Sequence, residues 1–118
     1  MPLHCTSAGK CLLAFGLAPI PSELPARTAR TITDADALRA HLPRIVERGY
    51  ALDDEENHAG VRCMSAPFFD GHGRAIGCVG INGPAVRVTA RRVDLLAGRV
   101  IEAAQLLSAT LRDFASVP

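Results

Sequence analysis

The chain has 118 residues, of which 48% are hydrophobic and 21% charged, the composition of one folded domain and not of a disordered tail. Its 13 basic residues nearly balance 12 acidic ones for a net charge of +1, so no charge field of its own directs it to nucleic acid. Every apolar run is interrupted before the ~18 residues a membrane span needs, and no basic stretch opens a secretory signal, so a cytoplasmic protein without membrane contact is expected.

From the N-terminus, Ala8, Cys11, Leu12 and Phe15 recur at helical spacing, and Thr6 or Ser7 can cap the helix they predict. Gly16, then Pro19, Pro21 and Pro25, end it in an irregular surface segment. A second helix is predicted after Thr31-Ile32-Thr33, with Thr33 as its cap and Asp34 and Asp36 at the positive end of its dipole. Leu38, Leu42, Ile45 and Val46 form its buried stripe, while Arg39, Arg44, Glu47 and Arg48 face water. Pro43 is expected to kink or split this helix, and Gly49 to stop it.

Residues 50–53 read as a short strand, and the acidic run Asp53-Asp54-Glu55-Glu56 after it as a solvated loop. Residues 61–69 and 75–83 read as two more strands joined by the turn formers Asp70-Gly71-His72-Gly73. If Phe69 and Arg74 close that turn, Cys63 faces Gly80, Ser65 faces Cys78 and Val61 faces Asn82. From residue 89 to about 113, Val93, Leu96, Ala97, Val100, Ile101, Ala104, Leu107 and Leu111 make an uninterrupted helical stripe. The order predicts an α+β fold, an antiparallel sheet covered by helices. Three strands make a thin sheet and the first helix starts almost at once, so N-terminal strands are expected to be missing.

The hairpin places Val61, Cys63, Ser65, Cys78, Gly80 and Asn82 on one sheet face, and Arg62, Met64, Ala66, Val79 and Ile81 on the other, mostly apolar, face. The first set is small and mildly polar, with none of the Lys, Glu or Thr of a solvent-facing sheet, so it suits a small polar ligand. The helix start Thr6-Ser7-Ala8-Gly9 supplies a facing wall, because its first amides lack intrahelical acceptors and can hold a carboxylate. A compact, dry hollow closed between these two walls is expected. Gly9-Lys10 does not make a phosphate loop, since His4 and Cys11 stand where that motif needs Gly and Ser or Thr. The cysteines Cys5, Cys11, Cys63 and Cys78 are too few for a disulfide scaffold and read as reduced thiols. Neither they nor His4 and His72 show the short paired spacing of zinc ligands, and the acidic run does not match a calcium loop. No metal and no cofactor is expected. A cysteine enzyme using Cys63 with His58 and Asp53 is conceivable, but only composition supports it.

Several stretches in order resemble the effector-binding domain of IclR-type bacterial transcriptional regulators. They are residues 2–10 (PLHCTSAGK) with Leu12-Leu13-Ala14, Thr31-Ile32-Thr33, 48–56 (RGYALDDEE), 60–67 (GVRCMSAP) and Ile81-Asn82-Gly83-Pro84. The resemblance implies a GAF-like fold that binds a small organic acid or aromatic effector and assembles as a homo-oligomer, dimer or tetramer. Carried over position by position, the effector site uses Ser7 and Ala8 as backbone donors, with Asp53, Cys63, Gly80 and Asn82 on the sheet side. Members that bind very small acids have Ser at the places of Gly80 and Asn82, so the resemblance implies that Gly80 removes a hydroxyl and adds space for a larger or less polar ligand here. It also implies that residues 1–118 are a partial effector-binding domain, with the winged helix-turn-helix that contacts DNA absent from them. No enzymatic activity is expected; a stand-alone GAF-like sensor module is the remaining alternative.

Overall fold

The computed structural model describes residues 2–115. Helix α1 (Ser7–Ala14) and helix α2 (Ala35–Arg48) precede strands β1 (Ala51–Asp54), β2 (Val61–Phe69) and β3 (Ala75–Pro84). A 3₁₀ turn (Ala90–Arg92) then leads into helix α3 (Val93–Ala115). The strands form one antiparallel sheet in the order β1-β2-β3, and helices cover both faces, as the α+β expectation requires.

Thr6 caps α1: its hydroxyl accepts from the Gly9 amide at 3.0 Å and donates to the Pro2 carbonyl at 2.7 Å. A Cβ on Gly9 would stand 2.5 Å from Leu3 Cα, so only glycine lets the preceding turn fold against the helix this closely. The stripe predicted for α1 is one side of a helix buried on two. Cys11 packs with Ile45 and Ala51 towards the sheet, while Leu13 meets Leu24 and Leu38 beneath the proline-rich segment.

Four details of α2 differ from expectation. Asp34, not Thr33, is the cap, accepting from the Ala37 amide at 2.9 Å. Pro43 does not split the helix, because it and Arg39, whose carbonyl loses its partner, both lie on the exposed face where water replaces the missing bond. Val46, expected in the buried stripe, is half exposed; Leu38 and Ile45 are fully buried. Arg48, expected in water, instead stacks over the Tyr50 ring at 4.5 Å and donates to the Tyr50 carbonyl at 2.8 Å. Gly49 stops the helix in the left-handed region at φ 87°.

The β2–β3 pairing is displaced by two residues from the predicted one. Cys63 faces Asn82, Ser65 faces Gly80 and Val61 faces Pro84. The turn is one residue longer, with Phe69 opposite Ala75, and the next pair is Phe68 with Gly77, which leaves Ile76 as a bulge. Asp70 organises that turn by accepting from the His72 and Arg74 amides at 2.8 and 3.0 Å. A shift of two keeps every side chain on its face, so the face assignment holds although the partners change.

On one face, Met64 and Ala66 of β2 pack against Ala97, Val100 and Ala104 of α3, whose small residues let the helix approach closely. On the other, Ser7 of α1 reaches the centre of the sheet. Its hydroxyl lies 2.8 Å from that of Ser65, and both side chains are buried.

Candidate functional site

Between the start of α1 and the sheet lies a cavity of about 380 Å³. Ser7, Ala8, Asp53, Cys63, Gly80 and Asn82, the residues singled out in the sequence, all line it. One wall is the first turn of α1, where Thr6 satisfies the Gly9 amide but the helix supplies no acceptor to those of Ser7 and Ala8. The opposite wall is the small-residue face of β2 and β3. Ser65, Cys78 and Val61 share that wall, as the strand alternation requires, and Asn57 and His58 close one end from the β1–β2 loop. In the sequence His58 stands out only as the base of a conceivable cysteine enzyme, and nothing in the sequence pattern marks Asn57, which irregular backbone brings there.

Two expectations need correction. The hollow is not closed and dry: Gly80 and Asn82 are exposed, and the cavity opens along the edge strand β3. Nor does Gly80 simply enlarge it. A Cβ at that position would run into the Met64 carbonyl and the Ser65 hydroxyl, so glycine here permits the close approach of β3 to β2.

The acidic run is not a solvated loop either. Asp53 and Glu56 are buried, at 2% and 7% exposure. Lys10, 1% exposed on α1, donates to both Glu56 carboxylate oxygens at 2.8 and 2.9 Å. The Glu56 carboxylate also accepts from the Asp54 amide at 3.0 Å, and its carbonyl takes the Thr31 hydroxyl at 2.6 Å. Asp54 in turn pairs with Arg62 and Arg30. These contacts fix the loop against α1 and so set the distance between the two walls. They also hold Asp53, whose Oδ1 accepts from the Glu56 and Asn57 amides at 2.8 and 3.4 Å. Among the described residues no donor reaches Asp53 Oδ2. Burial pushes the Asp53 carboxyl above its ordinary value, against the pull of those two amides.

Burial, and then the Asp53 carboxylate, push the Cys63 thiol up. A thiol held protonated is a poor nucleophile, and no hydrogen bond among the described residues joins it to His58. The geometry therefore does not favour the cysteine enzyme. A second groove of about 310 Å³ lies between α3 and the far ends of α1 and α2, walled by Phe15, Phe69, Ile101 and Ala104. Its Ser108 hydroxyl is already engaged with the Phe69 amide and the Ala104 carbonyl, and its other polar side chains, Gln105 and Arg112, are exposed.

Residues 1–109 match the family described as bacterial transcriptional regulator IclR, C-terminal. The chain belongs to the IclR family. It is 40% identical over 113 residues to the HTH-type transcriptional regulator BhcR of Paracoccus denitrificans, covering 90% of this chain and 40% of that protein. Among solved structures it resembles the C-terminal domain of the Escherichia coli regulator KdgR, with a TM-score of 0.81 and 32% identity, over 94% of this chain and 71% of that one. It also resembles the inducer-binding domain of a double mutant of PobR from Acinetobacter, solved in complex with 3-hydroxybenzoic acid. There the TM-score is 0.81 at 25% identity, over 92% of this chain and 66% of the other. The chain thus spans about 40% of the length of the curated IclR regulators it matches, and theirs is a regulator family, not an enzyme class.

Proposed function

We propose that this chain is the small-molecule-sensing portion of an IclR-type transcriptional regulator, and that the cavity between α1 and the sheet is its effector site. The observation that carries this is the pairing of two kinds of wall. Helix amides without acceptors face a buried carboxyl, a thiol and an exposed amide side chain across a space of about 380 Å³. That volume falls in the range of small-ligand sites. The Ser7 and Ala8 amides suit a carboxylate, held by two N–H donors at the positive end of α1. Asp53 Oδ2 and the Asn82 side chain suit hydroxyl or carbonyl groups at the ligand's other end. The effector is accordingly a small organic acid or an aromatic acid, a reading supported by the 3-hydroxybenzoic acid bound to PobR.

The chain performs no catalysis in this account: it binds, and binding shifts a population. An effector that touches α1 and β3 together favours one separation of the two walls. In the complete regulator that preference passes through a homo-oligomer to a winged helix-turn-helix outside these residues, which contacts DNA in the cytoplasm.

A thermal-shift screen of small carboxylic and aromatic acids tests the reading. At least one acid is expected to raise the melting temperature, by the linkage that stabilises any ligand-binding native state. Asn82→Ala, which removes an exposed side chain with no hydrogen-bond partner among the described residues, is expected to keep the unliganded melting temperature and to weaken binding about tenfold. Equal affinity in wild type and variant counts against this site.

A further inference from the structure

Two cysteines meet at the inner end of the cavity. Cys11 of α1 is 1% exposed and belongs to the cluster with Ile45 and Ala51, and Cys78 of β3 packs against the same cluster. Cys78 also lines the cavity, and its sulfur lies 4.0 Å from the Ala8 carbonyl, over the first turn of α1. Both thiols are free, and the packing of Cys78 against the cluster that holds Cys11 sets the two side chains beside one another. One sulfur is therefore reachable by a small solute, and the other sits directly behind it.

We propose that Cys11 and Cys78 form a peroxide-responsive pair, in which Cys78 is oxidised first and Cys11 then closes a disulfide tying α1 to β3. Hydrogen peroxide enters through the open side of the cavity. The Cys78 thiolate attacks one peroxide oxygen, the O–O bond breaks, and the departing hydroxide takes a proton from solvent and leaves as water. Cys78 is now a sulfenic acid. The Cys11 sulfur attacks that of Cys78, the S–O bond breaks, and the released hydroxide leaves as a second water with the Cys11 proton. Two electrons drawn from the two sulfurs have reduced one peroxide.

Selectivity follows from the neighbours. Cys63 lines the same cavity and meets the same solutes, but burial and the Asp53 carboxylate hold its thiol up. Cys78 has the opposite setting: the neighbouring Cys11 thiol pulls it down to about 7, while Cys78 and burial push Cys11 up. Cys5, buried and pushed up by burial, lies outside the cavity. Because α1 and β3 are opposite walls of the cavity, the disulfide would fix their separation. Its formation does not depend on what the cavity binds.

The 118-residue chain treated with a small excess of hydrogen peroxide at neutral pH, alkylated and digested without reductant, tests this by mass spectrometry. The expected product is a Cys11–Cys78 linked peptide pair two hydrogens lighter than the separate peptides, restored by dithiothreitol. Cys78 is expected to react about tenfold faster than Cys63, from its larger thiolate fraction. Cys78→Ser is expected to abolish the link, and Cys5→Ser to leave it unchanged. Oxidation of Cys63 ahead of Cys78 would overturn the proposal, and so would Cys78 stopping at sulfenic or sulfinic acid while Cys11 stays alkylatable.

Discussion

Asp53 shows how one side chain can be both structural and available. Its Oδ1 caps the turn that carries Glu56 and Asn57, and its Oδ2 has no donor among the described residues. Burial makes its ionised form costly, so the folded state holds the proton more tightly than the unfolded chain does. The linkage then has a definite sign. The stabilising contribution is complete below the ordinary value of 3.8 and is lost as pH rises through the raised folded value. Asp53→Asn keeps an acceptor for the two amides and removes the charge. The variant is expected to melt above wild type at neutral pH, with the gap closing towards pH 4, in thermal melts across a pH series. A gap that stays constant over that series would show that Asp53 ionises without cost.

At the scale of elements, the buried Lys10–Glu56 pair joins α1 to the β1–β2 loop and so spaces the cavity's walls. Removing one partner leaves the other charge buried. Lys10→Met or Glu56→Gln is expected to cost about 3–5 kcal/mol, a large part of the ~5–15 kcal/mol that holds a domain together. Denaturant titration checks this, and a loss below about 1 kcal/mol would mean that water reaches the pair. This pair was not legible in the sequence. Lys10 carries no local sign of a partner and the acidic run reads as a loop, because nothing local says that a lysine on a short helix meets a carboxylate 46 positions away. The strands and their faces were legible, since alternation is local and survives a register error of two. The register itself was not, because the Ile76 bulge leaves no mark in a run of small and apolar residues. The resemblance names the six site residues, and the strand alternation by itself sets Cys63, Gly80 and Asn82 on one face; His58 is named only for a cysteine enzyme, and Asn57, on irregular backbone, is not named.

The whole molecule measures 51 × 33 × 22 Å and exposes 6900 Å², more than the roughly 6,200 Å² expected of a compact protein of this mass. Part of the excess is apolar: Leu95, Leu106 and Phe114 of α3 and Val86 after β3 are all 60% exposed or more. Among the described residues β3 pairs on one side only, which leaves a row of its backbone groups without a strand partner. These surfaces support self-association, and light scattering after size exclusion is expected to show a dimer or larger species at micromolar concentration. Ile76→Lys, a charge on the free edge, is expected to lower that mass. A monomer throughout would contradict the association.

The effector cavity is the claim on which the rest turns, and amide chemical shifts report on it directly. Titration of the ¹⁵N-labelled chain with the acid that most raises the melting temperature is expected to move the Ser7 and Ala8 resonances furthest, followed by those of Cys63, Gly80 and Asn82. Largest shifts instead at Phe15, Phe69 and Ile101 would place the ligand in the apolar groove beside α3 and contradict the account.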